Sequence, residues 1–180
     1  MWPPTRFKDH TAIVFKDTRL TFSQFDACVN RLSNGLLSLG LATGHKVAVL
    51  LNNGLESAIS LLAVPRAGLT YISLNARHSS GEHAAILNDS EADAIIVGEE
   101  FIEIIKPALT LVSSLKHFIV VGRTPGDWLV YNALIADQSA LKPAVDVDDA
   151  NDIERIQYTS GTTGKPKGVE LLHDCWVFTA

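Results

Sequence analysis

Residues 158–168 read Tyr158-Thr159-Ser160-Gly161-Thr162-Thr163-Gly164-Lys165-Pro166-Lys167-Gly168. Three glycines, four serine or threonine hydroxyls and two lysines share this short stretch. Such a composition suits a phosphate. Glycine lets the backbone take positive φ and come close to a ligand. Successive backbone N–H groups in such turns form an anion-binding nest. Hydroxyls donate further hydrogen bonds, and lysines add charge. Just before it, residues 153–158 form a β-prone run. A strand that feeds such a loop sets it at the edge of a sheet, where α/β proteins bind ligands. The order of residues is not that of a Walker A loop, which needs Gly, four residues, then Gly-Lys-Ser/Thr. Here Pro166 follows Gly164-Lys165, and Thr159 stands where the first glycine belongs. The Gly-x-Gly-x-x-Gly dinucleotide pattern is absent as well.

Working outward from the loop, the upstream chain alternates strand and helix. Residues 12–16 and 19–22 read as a β-hairpin about Asp17-Thr18. Ser23 reads as an N-cap with Asp26 three residues on. Phe25, Val29, Leu32, Leu36 and Leu39 then mark one face of a helix, and Gly40 suits its C′ position. Strands are expected at 46–51, 70–74, 94–97 and 117–121, and helices at 55–67, 80–88, 101–111 and 128–136. Pro65 should kink or close the second helix. This alternation implies right-handed βαβ units and a mostly parallel sheet flanked by helices, an α/β fold with an N-terminal β-hairpin. The division expected is an α/β lobe at 1–136, an acidic surface linker at 137–152, and a strand, phosphate-binding loop and start of the following helix at 153–180. The linker holds Pro143 and the aspartates Asp137, Asp146, Asp148, Asp149 and Asp152.

Composition narrows the function classes. The chain has 180 residues, 47% hydrophobic and 19% charged, with a formal net charge of −5. That mixture argues against disorder. The acidic balance argues against a nucleic-acid footprint, which needs clustered Lys and Arg. No apolar run reaches the roughly 18 residues of a membrane helix. The run at 47–64 is interrupted by Asn52, Asn53, Gly54 and Glu56. The opening residues lack the apolar core of a signal peptide. Cys28 and Cys175 make no disulfide framework, so two small buried thiols in a reduced cytoplasm are expected. The six histidines show no metal-ligand spacing, and His78 and His83 lie in poor helical register. No metal site is expected within the chain.

The order of residues from Tyr158 to Gly168 resembles the phosphate-loop signature of the adenylate-forming (AMP-binding) superfamily. That superfamily comprises acyl-CoA synthetases, aryl-CoA ligases, peptide-synthetase adenylation domains and luciferases. Its signature is an aromatic or aliphatic residue followed by Thr-Ser-Gly-Ser/Thr-Thr-Gly-x-Pro-Lys-Gly, and every position matches. Leu20-Thr21-Phe22-Ser23, Gly44-His45-Lys46-Val47-Ala48-Val49, Ala67-Gly68 and Ile86-Leu87-Asn88-Asp89-Ser90-Glu91-Ala92 resemble its earlier segments. Leu74-Asn75-Ala76-Arg77 has the Asn-x-Arg form of the fatty-acyl and aryl CoA ligases, where peptide-synthetase domains usually have Pro-Leu-Asp. Ser73, His45, Pro65-Arg66 and Leu172 depart from the usual pattern, and Leu172 weakens any carry-over to the acid-binding side.

The resemblance implies an ATP-dependent carboxylic acid–CoA ligase. It activates a fatty or aryl acid as an acyl-adenylate and transfers it to coenzyme A, with Mg²⁺ present. Thr159, Ser160, Gly161, Thr162, Thr163 and Gly164 should wrap the β- and γ-phosphates. Lys165 or Lys167 should supply charge, with Lys167 at the position the signature fixes. His173 should line the acyl pocket, and Trp176 and Phe178 should serve either the acyl tunnel or core packing, with core packing preferred. The family's adenine, ribose, Mg²⁺-carboxylate and C-terminal catalytic motifs fall beyond the loop. The expectation is therefore the first lobe of such an enzyme, inactive alone and prone to self-association through exposed apolar surface. The alternative is a short non-catalytic nucleotide-binding or interaction module.

Overall fold

A computed structural model describes residues 7–124, 126–159 and 166–176. In chain order its elements are β1 (Thr11–Phe15), β2 (Thr18–Thr21), α1 (Phe22–Ser38), β3 (Lys46–Leu50), α2 (Leu55–Arg66), β4 (Thr70–Ser73), α3 (Ser80–Ser90), β5 (Ala94–Gly98), α4 (Ile102–Leu109), β6 (His117–Val121), β7 (Leu129–Val130), α5 (Tyr131–Ala136), β8 (Ile153–Thr159) and β9 (Lys167–Leu172). Short 3-10 turns occupy Glu99–Phe101 and His173–Trp176. β1 and β2 form a separate antiparallel hairpin. The other strands make one sheet in the order β7-β6-β5-β3-β4-β8-β9, parallel except for β9 against β8.

The sequences of β3 (Lys-Val-Ala-Val-Leu) and β5 (Ala-Ile-Ile-Val-Gly) explain their central place. A parallel strand covered on both faces reads as a continuous apolar run. Alternate residues serve opposite faces. Val47 and Val49 meet α1 and α2, whereas Ala48 and Leu50 meet α3 and α4. Leu50, Ile95 and Ile96 have no solvent exposure, and burying each such side chain contributes about 1.5–3 kcal/mol. The crossover from β3 to β4 carries α2 on one face. Those from β4 to β5 and β5 to β6 run the opposite way and carry α3 and α4 on the other face. A constant crossover hand demands this pairing of direction with face. Gly68 closes the α2–β4 turn at φ +72°. A Cβ there would lie 2.9 Å from both Thr43 Oγ1 and Val145 Cγ1.

Four elements differ from the sequence reading. The N-cap of α1 is Thr21, not Ser23: its hydroxyl accepts the Gln24 N–H at 3.2 Å, and the Gln24 side chain accepts the Thr21 N–H at 2.9 Å. The end of the hairpin sets this register, so the helix begins at Phe22. The expected helix at 128–136 is a two-residue edge strand, β7, followed by α5. The expected helix at 101–111 opens as a 3-10 turn before α4. After the loop the chain forms strand β9, not a helix. It pairs antiparallel with β8, and the 3-10 turn at His173–Trp176 comes only afterwards.

The acidic stretch exposes the side chains of Asp137, Asp146, Asp148 and Asp149, while its backbone start is tied to α1. Arg31 donates to the Ala136 and Gln138 carbonyls, Asn30 to Ala140, and Asn34 to Ser139 and Leu141. Cys28 is half-buried, but Cys175 is exposed rather than the buried thiol expected. No helix among the described residues is long and apolar enough to cross a membrane.

Candidate phosphate-binding site

The parallel strands end on one edge, and β8 runs parallel to its neighbour β4. The loop therefore leaves β8 at the carboxyl edge, where α/β sheets bind ligands. Thr159 and Lys167 face each other as the last Cα pair of the β8–β9 ladder, and they close the base of the loop. Both are exposed, and among the described residues no carboxylate pairs with Lys167. Ser160, Gly161, Thr162, Thr163, Gly164 and Lys165 lie outside the described residues.

The residues flanking this base have packing reasons for their identity. Tyr158 pairs with Gly168 across the ladder. A Cβ on Gly168 would lie 2.9 Å from Ile156 Cγ2 and 3.2 Å from Tyr158 Cζ. The tyrosine ring thus covers the glycine, a known way to stabilise glycine in a strand. The Tyr158 hydroxyl donates to Asp89 Oδ2 on α3 at 2.7 Å. Partial burial and the acceptor carboxylate push the phenol pKa well above its ordinary value, so it stays a donor. Ala85, Asn88 and Asp89 of α3 and Tyr158 and Pro166 of the hairpin line an open concavity of about 440 Å³.

Charge is distributed unevenly along this edge. Beyond β5, the Glu100 carboxylate accepts from Asn52 at 2.6 Å, and Glu99 accepts the Arg123 N–H at 2.5 Å. Beyond β4 and β8 stand the exposed cations Arg77 and Lys167. Arg77 lies in a turn where its N–H donates to Asn75 Oδ1 at 2.9 Å. The β4–β8 side thus presents two exposed cations, with the Asp89 carboxylate bonded to Tyr158.

The structure does not bring His173 to the loop. β9 runs antiparallel to β8, and Leu172 is opposite Ile153 at the amino end of β8. At about 3.4 Å per residue, His173 stands roughly 20 Å from Lys167. Its backbone N–H donates to Asp152 at 3.4 Å, and Nε2 has no partner among the described residues. The sequence marks Asp89 only as part of a resembling segment. Nothing local in the sequence marks a partner 69 positions away.

Comparison with known proteins adds an independent line. A family model described as AMP-binding enzyme matches residues 2–180. The long-chain-fatty-acid–CoA ligase FadD13 of Mycobacterium tuberculosis is 30% identical over 161 residues, covering 88% of this chain and 30% of that protein. Tyrocidine synthase 1 of Brevibacillus parabrevis is 29% identical over 167 residues, covering 93% of this chain and 14% of that protein. The crystal structure of the anthranilate CoA ligase AuaEII in complex with anthranoyl-AMP superposes with a TM-score of 0.90 at 29% identity, covering 97% of this chain and 34% of that one. The chain thus spans about a third or less of the length of each of these proteins.

Proposed function

The chain belongs to the AMP-binding enzyme family, and from that premise we propose that it is the phosphate-binding lobe of an ATP-dependent carboxylic acid–CoA ligase. The observation that carries the reading is the placement of the loop base. Thr159 and Lys167 close a Gly/Thr-rich loop at the carboxyl edge of a parallel sheet, where Arg77 and Lys167 are exposed.

In the reaction proposed, a carboxylate oxygen of the acid attacks the α-phosphorus of ATP. The bond from that phosphorus to the bridging oxygen breaks, and pyrophosphate leaves. The thiol of coenzyme A then attacks the acyl carbonyl, and AMP leaves. The demands on the protein are positioning and neutralisation of phosphate charge. Thr159, Ser160, Gly161, Thr162, Thr163 and Gly164 wrap the β- and γ-phosphates through N–H and hydroxyl donors. Lys167 supplies the fixed positive charge, with Lys165 beside it, and holds the charge that develops on the departing pyrophosphate. Mg²⁺ would neutralise further phosphate charge when bound. Among the described residues no group of three or more His, Cys, Asp or Glu stands together to hold a metal ion, so the reading gives the ion no carboxylate cage here. His173, at the far end of β9, has no part in the phosphate set.

Coenzyme A is the preferred acceptor because Leu74-Asn75-Ala76-Arg77 follows the CoA-ligase form. The similarity to tyrocidine synthase 1 supports a second reading, an adenylation domain serving another thiol. Assay of the longer enzyme with coenzyme A against a carrier-bound thiol separates the two.

Calorimetric titration of the 180-residue chain with pyrophosphate tests the site directly. The expected result is weak, saturable binding that drops about tenfold in Lys167→Ala, the loss of one charge-assisted contact. Unchanged affinity in that variant overturns the role given to Lys167. The chain alone is expected to give no ATP–pyrophosphate exchange, and a signal that survives repurification would sink that expectation.

A further inference from the structure

We propose that Asp89 is a positioning residue that holds the base of the phosphate loop, Thr159 and Lys167, against α3 through Tyr158. The proposal rests on the phosphate-loop reading given above, and it assigns a role to a residue of α3 that bonds Tyr158, the neighbour of Thr159 at the loop base.

Three observations converge on it. The first is how little of the hairpin is held by the sheet. The β4–β8 ladder pairs only Tyr71 with Arg155 and Ile72 with Ile156. Tyr158, Thr159, Lys167 and Gly168 project beyond it. β9 is the edge strand, and its residues 167–170 are exposed. The second is the open concavity of about 440 Å³ between α3 and this projecting end. Ile156 and the Tyr158 ring pack with Ala84, Ile86 and Leu87 of α3, and beyond that contact the concavity leaves the projecting end of the hairpin without further packing on the helix.

The third is the bond that spans the gap. Tyr158 Oη donates to Asp89 Oδ2 at 2.7 Å, the length of a good O–H···O⁻ bond. The ring that carries this hydroxyl lies over Gly168, so one side chain grips both strands of the hairpin. Thr159 is the next residue and Lys167 its cross-strand partner. A hydrogen bond at Tyr158 therefore sets the height and tilt of the loop base relative to β4. Thr70 Oγ1, which donates to the Ile153 carbonyl at 3.0 Å, holds only the opposite end of β8.

The test compares three variants of the full 180-residue chain by amide hydrogen exchange and by pyrophosphate titration. Tyr158→Phe keeps the ring over Gly168 and removes the donor. Asp89→Ala removes the acceptor. Asp89→Asn keeps an acceptor oxygen. Exchange at Thr159 and Lys167 is expected to quicken in Tyr158→Phe and Asp89→Ala, and their pyrophosphate affinity to fall about three- to tenfold. Asp89→Asn is expected to restore both readouts to within about twofold of the parent, which a merely structural aspartate would not require. Unchanged exchange in both removal variants overturns the proposal, and so does an Asp89→Asn variant as impaired as Asp89→Ala. If the parent chain binds no pyrophosphate, the phosphate-loop reading fails for this chain. The exchange data still decide whether Asp89 holds the hairpin.

Discussion

β3 and β5 at the centre of the sheet and the β8–β9 hairpin at its edge share one hydrogen-bonded ladder system, yet they are specified in opposite ways. The central strands are buried on both faces, and their residues are nearly interchangeable apolar side chains. What matters there is volume and the two-residue alternation. The hairpin is exposed along residues 167–170, and its residues are specified one at a time. Gly168 is small because Tyr158 covers it, and Tyr158 carries a hydroxyl that reaches Asp89. Stability is concentrated in the first region, and the candidate chemistry in the second.

Truncation inside the central strands should have the largest effect. Ile95 has no solvent exposure and lies in the cluster with α3 and α4. Ile95→Ala is expected to cost about 2–5 kcal/mol through lost burial and the cavity left behind. Val169, 46% exposed on β9, should cost within about 0.5 kcal/mol as Val169→Ala. Urea unfolding of both variants checks the pair. Equal losses would break the contrast between the regions.

A middle-sized effect is expected at Gly168. The added methyl of Gly168→Ala meets Ile156 and the Tyr158 ring at 2.9 and 3.2 Å, and such overpacking costs about 1–3 kcal/mol. The contrast sharpens in a double-mutant cycle with Tyr158→Ser. Removing the ring should relieve part of the cost and give a coupling of about 0.5 kcal/mol or more. Zero coupling would mean that the tyrosine is not the reason for the glycine.

The same contrast governs what could be read from the sequence. The apolar runs of β3, β5 and β6 and the stepped face of α1 fall within about a residue of their observed bounds, because burial on two faces or one stripe leaves a periodic record. β7 is two residues long, too short for any period, so it was absorbed into the helix α5. Thr21 displaced Ser23 as the cap because the preceding hairpin, not the local side chains, decides where α1 begins. β9 was missed since Lys-Gly-Val-Glu-Leu-Leu alternates weakly. Its pairing is with β8, a contact that no local period records. The site itself was legible only as an ordered motif. Its roles for Ser160 to Lys165 come from resemblance, and its link to Asp89 depends on contact between distant positions that no local pattern encodes.

α3 joins the two regions, and it carries the smallest effect, one that depends on pH. Its Asp89 reaches the hairpin, whereas its His83 is fully buried with neither ring nitrogen hydrogen-bonded among the described residues. Burial first, then the His78 ring 5.8 Å away, lowers the His83 pKa, and Glu82 opposes this. Glu82 is itself engaged in the N-terminal capping box with Ser79. The His83 site also sits in the first turn of α3, where the helix dipole disfavours a cation. With a folded pKa below the unfolded value near 6.5, the unfolded chain binds more protons in acid. The stability that depends on neutral His83 is complete above pH 6.5 and is lost as pH falls from there through the folded pKa. Urea midpoints measured between pH 7.5 and 5 should fall for the parent and fall less for His83→Leu. Parallel curves would place the acid sensitivity elsewhere. A fall in parent and variant confined to faster exchange at Thr159 and Lys167 would locate it in the hairpin rather than the core.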